Sequence, residues 1–149
     1  MSLNEQMSVA KAKKCLDEGG DINEHDDVGK SPLHWAATKG DIAISRLFIE
    51  EAAGADIDTP DSSSYGHTPL YVAARNGYVE VVRMLIENGA LVDKATTDNG
   101  GTPLYVASCY GRVEVARMLI ENGALVDKAT EKHLGMRLHK MDMLKWYEC

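Results

Sequence analysis

A chain of 149 residues, 44% of them apolar, has the size and composition of one folded domain. No apolar run reaches the roughly 18 residues of a membrane span, and the first residues lack the basic segment and apolar core of a secretory signal. Three scattered cysteines form no disulfide pattern, which predicts an intracellular protein, cytoplasmic or nuclear. The net charge of −7 argues against nucleic acid and favours a neutral or basic partner.

The first predicted element is a helix from about Ser8 to Glu18. The segment is too short to hold a second helix. Its lysines suit the solvated face of a terminal unit. The segment that follows, Gly19-Gly20-Asp21-Ile22-Asn23, matches the end of a unit that returns further along the chain. We therefore expect the N-terminal region to be a shortened capping unit.

A unit of about 34 residues then occurs three times. The segment from Ser31 to Ala37 opens the first copy, and Thr68 to Ala73 and Thr102 to Ala107 open the next two. Eighteen of the 21 positions from Asn76 to Thr96 are identical to those from Tyr110 to Thr130. Because no unit of this length buries its apolar face alone, the copies must stack into an array.

Each unit is predicted to hold two helices and an extended arm. In the second copy the Thr68 hydroxyl can cap a helix, Pro69 suits the first helical position, and Gly77 can end the helix in a left-handed conformation. A second helix is predicted from about Tyr78 to Asn88. Its apolar face is formed by Tyr78, Val81, Val82, Leu85 and Ile86. An arm with a turn at its tip then leads to the next copy.

These units resemble the ankyrin repeat family. The resemblance lies in the Thr-Pro-Leu-His-x-Ala-Ala type of opening, the glycine in mid-unit and the Gly-Ala-Asp-Val-Asn type of close, and it covers roughly Gly19 to Thr130. It implies an all-α solenoid of helix–turn–helix units with β-hairpin fingers, about three full repeats between degenerate caps. The single domain is then divided into residues 1–30 (N-terminal cap and first finger), 31–67, 68–101 and 102–135 (repeats), and 136–149 (C-terminal capping helix).

Two departures from the family pattern are informative. Tyr71 and Tyr105 replace the usual histidine, which only His34 keeps, so a tyrosine hydroxyl must take over its hydrogen bonds or these bonds are weakened. The interval from Gly40 to Gly54 is two residues longer than in the other copies. We expect the extra residues near Glu51-Ala52-Ala53 to lie in a connection, where they cost little.

The C-terminal segment after Thr130 is predicted to form an apolar helix with two interpretations. Its apolar residues recur at helical spacing, at Leu134, Leu138, Met141, Leu144 and Tyr147. Either the helix caps the last repeat, or Leu138, Met141, Leu144 and Tyr147 join a second copy of the chain in a homo-oligomer. In the second case, deletion of Met136 to Cys149 leaves folding intact and abolishes self-association.

No catalytic or cofactor motif is found, so we predict a non-enzymatic protein without cofactor or metal. His133, His139 and Cys149 match no strong zinc spacing, and Cys109 is interpreted as an ordinary thiol. The acidic residues of the fingers are expected to bond their own turns and not calcium. They are Asp26, Asp27, Asp56, Asp58, Asp61, Asp93, Asp98 and Asp127.

A partner-binding surface is predicted from positions where the second and third copies differ although their helices are nearly identical. Family geometry places these positions at the finger tips and at the ends of the first helices, on the concave side. Drift at exposed sites is the alternative explanation, but tyrosine and arginine are the residue types that anchor interfaces. The predicted set is Asp27, Lys30, Thr38, Lys39, Tyr65, His67, Arg75, Asn76, Asn99, Cys109 and Tyr110. Trp35 is expected to pack within the fold.

The sequence thus predicts a protein–protein interaction module that acts as an adaptor or as an inhibitory or regulatory subunit. Tyr65, Arg75 and Tyr110 are its expected anchors. The alternative is a self-associating structural unit joined through the C-terminal helix. Neither nucleic acid nor a membrane is expected as a partner.

Overall fold

The computed structural model describes residues 16–51, 54–98 and 100–126, without the side chain of Glu51. These residues contain six α-helices, namely α1 (Pro32–Lys39), α2 (Ile42–Arg46), α3 (Pro69–Asn76), α4 (Val79–Glu87), α5 (Pro103–Cys109) and α6 (Val113–Glu121). A π-helical turn, Leu47–Glu51, directly extends α2. None of the helices in this part of the chain is long and apolar enough to cross a bilayer.

The helices form two layers. In the first layer α1, α3 and α5 lie side by side, and in the second layer α4 contacts both α2 and α6. Each first-layer helix also packs against the second-layer helix of its own repeat. The core between the layers contains Leu70, Leu85, Leu104 and Leu119, all completely buried. The array of stacked units that the repeat predicted is therefore confirmed.

Local sequence sets where the first-layer helices begin and end. Thr68 Oγ1 accepts a hydrogen bond from the Tyr71 amide at 3.2 Å, and Pro69 occupies the first position of α3. Gly77, with φ of 84°, ends the helix, and its amide donates to the Ala73 carbonyl at 2.9 Å. The predicted cap and stop are confirmed, since a left-handed residue without a Cβ is what this stop requires.

One kind of hydrogen bond joins consecutive units and recurs at the three junctions that the structure describes. A side-chain oxygen near the start of one finger accepts a hydrogen bond from a backbone amide one repeat further on. The bond joins Asn23 to Asp56 at 2.8 Å, Asp58 to Leu91 at 3.0 Å and Asp93 to Leu125 at 3.0 Å. A carboxylate or amide oxygen at this position therefore fixes the register between neighbours.

The fingers are turns and bends, and no strand is assigned to them in the described residues. In the second finger a single backbone bond, from the Asp61 amide to the His67 carbonyl at 2.8 Å, closes the arm. Neighbouring tips are joined by bonds such as that from the Thr97 amide to the Tyr65 carbonyl at 2.9 Å. The hairpin fingers implied by the family therefore have the course of a hairpin but too few consecutive backbone bonds for a ladder.

Acidic side chains complete the finger turns, as predicted. Asp26 Oδ1 accepts hydrogen bonds from the amides of Val28 and Lys30 at 3.1 and 2.9 Å. Asp61 accepts bonds from the Ser63 hydroxyl and from the His67 amide. Within the described ranges, no group of three or more His, Cys, Asp or Glu residues is arranged to hold a metal ion. Asp127 lies outside the described residues.

The two extra residues of the first repeat were expected in a connection near Glu51-Ala52-Ala53, but the helix already departs from α-helical geometry before these residues. The helix that starts as α2 continues as the π-helical turn Leu47–Glu51, in which Leu47 and Phe48 are buried. A π-helical turn takes more residues per turn than an α-helix, so it absorbs extra chain while keeping apolar side chains on the core. Ala52 and Ala53, also placed in the insertion, lie outside the described residues.

Both predicted terminal helices lie wholly or mostly outside the described residues. Of the N-terminal helix only the last turn is described, where the Gly19 amide donates to the Leu16 carbonyl at 3.0 Å. The C-terminal helix over 136–149, with the apolar face predicted for it, lies entirely outside them.

Candidate functional site

Aromatic side chains run from a finger tip down to a first-layer helix. Tyr65, at the tip of the second finger, stacks on His67 with ring centroids 5.4 Å apart. His67 stacks in turn on Tyr71 of α3 at 4.7 Å. Tyr65 is 51% exposed, whereas Tyr71 is 7% exposed, so this aromatic row (Tyr65, His67, Tyr71) leads from solvent into the fold. We call the surface that the fingers and first-layer helices share the finger–helix face.

A buried carboxylate holds the middle ring of the aromatic row. Asp61 Oδ2 lies 3.3 Å from Nδ1 of His67, and Asp61 itself is buried. Burial raises the pKa of Asp61, but the hydrogen bonds from the Ser63 hydroxyl and the His67 amide outweigh it and hold the pKa below its usual value. The carboxylate is therefore ionised near neutral pH and orients the His67 ring.

His34 connects this region to the first repeat. Its Nδ1 accepts hydrogen bonds from the amide and hydroxyl of Ser31 at 3.3 and 2.7 Å. Its Nε2 lies 2.8 Å from the His67 carbonyl oxygen, which only accepts, so Nε2 carries the proton. Burial lowers the pKa of His34, and the ring is completely buried and neutral.

Tyr71, at the equivalent position of the second repeat, does not reproduce this bond in the part of the chain that the structure describes. The Tyr71 hydroxyl makes no hydrogen bond to a neighbouring finger within the described residues, and burial, with the nearby Asp98 carboxylate, raises the pKa of Tyr71. In α5 a hydrogen bond with the Cys109 side chain, together with burial, raises the pKa of Tyr105 to about 12. The sequence suggested that the change from histidine to tyrosine weakens this bond between repeats. At Tyr71 the described structure agrees with that prediction.

A second group of side chains lies at the ends of α3 and α5. The Arg75 guanidinium carbon is 5.9 Å from the centre of the Tyr110 ring, which suits a cation–π contact. Arg112 donates from Nε to the Arg75 carbonyl oxygen at 3.1 Å. Tyr110 is 56% exposed. We call Arg75 and Arg112 the arginine pair, because Arg75 lies in the last turn of α3 and Arg112 bonds to its carbonyl oxygen.

A third group, around Trp35, was not anticipated as part of a surface. Trp35 is half-buried, its Nε1 donates to Asp26 at 2.6 Å, and Lys30 Nζ lies 4.5 Å from its ring centroid. Burial raises the pKa of Asp26, but hydrogen bonds from the Lys30 amide and from Trp35 prevail and lower it. The available signal was the tryptophan itself, at a position where the other repeats have Val72 and Val106.

The structure brings together four of the residues predicted to bind a partner. These are Tyr65 with His67 and Arg75 with Tyr110. Lys30, also predicted, contacts Trp35, which was not.

No side-chain hydrogen bond, ion pair or ring contact joins those pairs to the other predicted residues that the structure describes. Asp27, Lys39 and Cys109 are exposed, and Asn76 is half-buried at the end of α3. The Thr38 hydroxyl is already engaged, since it donates to the His34 carbonyl at 2.8 Å. Asn99 lies outside the described residues.

Comparisons with known proteins agree with this architecture. The family model described as ankyrin repeats (3 copies) matches residues 4–98, and that described as ankyrin repeat matches residues 99–131. The chain therefore belongs to the ankyrin repeat family, whose repeats are protein–protein interaction modules and are generally non-enzymatic.

A curated protein with a similar segment is Protein VAPYRIN-LIKE of Medicago truncatula. It is 53% identical to this chain over 34 residues, which is 23% of this chain and 7% of that protein. The similarity thus spans the length of about one repeat, and the chain matches only a small fraction of this relative.

Proposed function

We propose that this chain is a non-enzymatic module that binds a protein partner on the finger–helix face, as an adaptor or as an inhibitory or regulatory subunit. The observation that carries the proposal is the exposure of large anchoring side chains there. Tyr65 and Tyr110 are 51% and 56% exposed, and Arg75 lies beside Tyr110. Tyrosine and arginine are enriched among the residues that dominate binding energy at interfaces.

The surroundings of these side chains support the proposal because they are ordered without a partner. The Tyr65 ring rests on His67, which the Asp61 carboxylate and the His34 bond hold in place. A side chain that is already held loses less conformational freedom when a partner covers it. The finger–helix face therefore meets a partner with little ordering cost.

The test is binding by the full chain and by the triple variant Tyr65→Ala/Arg75→Ala/Tyr110→Ala. A matched control, Arg83→Ala/Leu91→Ala/Leu125→Ala, removes one arginine and two large exposed side chains away from these groups. Proteins captured from cell extract by the intact chain are identified, and the affinity of each purified one is measured. We expect the triple variant to lose about tenfold or more in affinity, and the control to lose little.

Circular dichroism of each variant establishes equal helicity before binding is compared. If the triple variant binds the same partners as tightly as the intact chain does, the finger–helix face is not the binding surface. Loss of binding by the control alone would place the site near Arg83 of α4 or at the starts of the fingers that contain Leu91 and Leu125.

A further inference from the structure

The arginine pair differs in its ion pairing from Arg46 and Arg83, which belong to the second-layer helices. Arg46 lies 3.6 Å from Glu50, and Arg83 lies 3.7 Å from Glu80. Across the described residues, neither Arg75 nor Arg112 is within ion-pair distance of a carboxylate. The fold thus places no carboxylate of the described residues beside either cation, and the same holds for Arg117 of α6.

Helix ends explain only part of this arrangement. Arg75 stands in the last turn of α3, where a cation favours the helix dipole, and Arg112 donates to the carbonyl of Arg75. That bond uses one of the five N–H groups of the Arg112 guanidinium. The guanidinium of Arg75 donates no hydrogen bond within the part of the chain that the structure describes. Most of the donors of the arginine pair therefore remain for a ligand.

We propose that the arginine pair, with Tyr110 beside it, binds a carboxylate side chain of an acidic segment of the partner protein. The inference rests on the proposed function, since it names the chemistry of the partner at the same surface. A guanidinium presents its N–H groups as a planar fork that matches a carboxylate with two parallel hydrogen bonds. The Tyr110 ring, whose centre lies 5.9 Å from the Arg75 guanidinium carbon, supplies apolar surface next to the charge.

The distribution of charge along the array extends this site. Lys39 stands in the last turn of α1, as Arg75 stands in the last turn of α3. The ends of two successive first-layer helices therefore both carry a cation, and Arg112, the N-cap residue of α6, adds a third positive charge next to Arg75. The net charge of −7 suggested a neutral or basic partner, but it averages over the whole chain. At contact distance the local cations decide, because salt screens charges beyond about 8–10 Å.

The experiment is a selection from a phage-displayed library of random 12-residue peptides on the full-length chain. The same library is selected on Arg75→Gln/Arg112→Gln and on the control Arg83→Gln/Arg117→Gln, which removes two arginines of the second-layer helices. Thermal unfolding shows whether each variant is folded, and Arg75→Gln alone replaces the double variant if the loss of the Arg112 bond unfolds it. Selected peptides are then synthesised and titrated by fluorescence anisotropy.

We expect peptides rich in Asp and Glu from the intact chain and from the control, but not from the Arg75/Arg112 variant. Their affinity should fall by at least about tenfold on that variant and should decline as NaCl is raised. Peptides that lose affinity on Tyr65→Ala and yet carry no acidic residue would overturn this inference and leave the proposed function standing. Peptides that bind every variant equally, or no enrichment at all, would overturn both.

Discussion

His34 shows how one buried ring joins two repeats and makes their stability depend on pH. Its two nitrogens accept from Ser31 and donate to the His67 carbonyl, an arrangement that requires the neutral ring. Because the pKa of His34 is lowered in the folded state, protonation favours the unfolded chain. The stability that the neutral ring contributes is fully present above the unfolded value of about 6.5 and is lost as the pH falls below it.

We therefore expect the free energy of unfolding to fall between pH 7 and pH 5, by up to about 1.4 kcal/mol per pH unit for one proton. His34→Gln should flatten this dependence, while His25→Gln, whose ring lies 6.3 Å from that of His34, should keep most of it. Urea unfolding at several pH values above 5 measures the slopes. That range avoids the protonation of Asp26 and Asp61. Because their pKa values are lowered, these carboxylates lose their contribution to stability only at lower pH. Equal slopes for the intact chain and His34→Gln would contradict the assignment.

Ser45, unlike His34, has a buried polar group that gains no stabilising hydrogen bond within the described residues. Its hydroxyl is completely buried and finds no hydrogen-bond partner in the described residues. The equivalent positions of the next repeats have Val82 and Ala116. Ser45→Ala should therefore raise the free energy of unfolding by about 1 kcal/mol, since an unsatisfied buried hydroxyl costs about that much or more.

The matched control for Ser45 is Ser108→Ala. The Ser108 hydroxyl donates to the Leu104 carbonyl at 2.8 Å, so its removal should give no gain. Chemical denaturation of both variants makes the comparison. A loss of stability in Ser45→Ala would show that the hydroxyl has a partner in solution.

At the scale of elements, the second-layer helices of the second and third repeats each contribute a fully buried leucine to the core. Leu85 of α4 and Leu119 of α6 are both 0% exposed and hold equivalent positions. Leu85→Ala or Leu119→Ala should cost about 2–5 kcal/mol, because each leaves a cavity in the core. The control Leu91→Ala, at a side chain 56% exposed, should cost little. Urea denaturation measures the free energy of unfolding of each variant. A loss below about 1 kcal/mol would mean that the buried face of the helix is misassigned.

The elements themselves were largely predictable, for local reasons. The caps at Thr68 and Thr102, the prolines after them and the stop at Gly77 act within one helical turn, so sequence alone reveals them. Val81, Val82 and Leu85 were correctly placed on the buried face of α4. Tyr78 was assigned to that face too, but it lies just before the helix, and its ring packs against Gly40 of the preceding repeat.

The parts of the candidate site that escaped prediction depend on contacts between elements. The bond from Trp35 to Asp26 joins a helix to a finger, and no periodicity encodes it. The stacking of His67 on Tyr71 depends on how the long second finger folds back on α3. The π-helical turn after α2 likewise reflects how the core accepts an insertion, which spacing detects but does not locate.

At the scale of the whole molecule, the candidate binding groups straddle the junctions between repeats. The His34 bond to His67 spans the first junction, and the contacts of Arg75 with Tyr110 and Arg112 span the second. A partner that covers these groups contacts residues that come together only when the repeats are stacked. Binding and stacking are therefore linked, and a bound partner stabilises the array against fraying from its ends.

The recurring bond between fingers also bears on how such a chain changes its length. Asn23, Asp58 and Asp93 each accept a bond from the amide one unit ahead, so a side-chain oxygen at one position and a backbone amide make each of the three described junctions. A duplicated segment of about 34 residues would arrive with an acceptor for the next unit and a donor for the previous one. The near identity of Asn76–Thr96 and Tyr110–Thr130 is the trace expected of such a copying event. Growth by duplication requires no new junction to evolve.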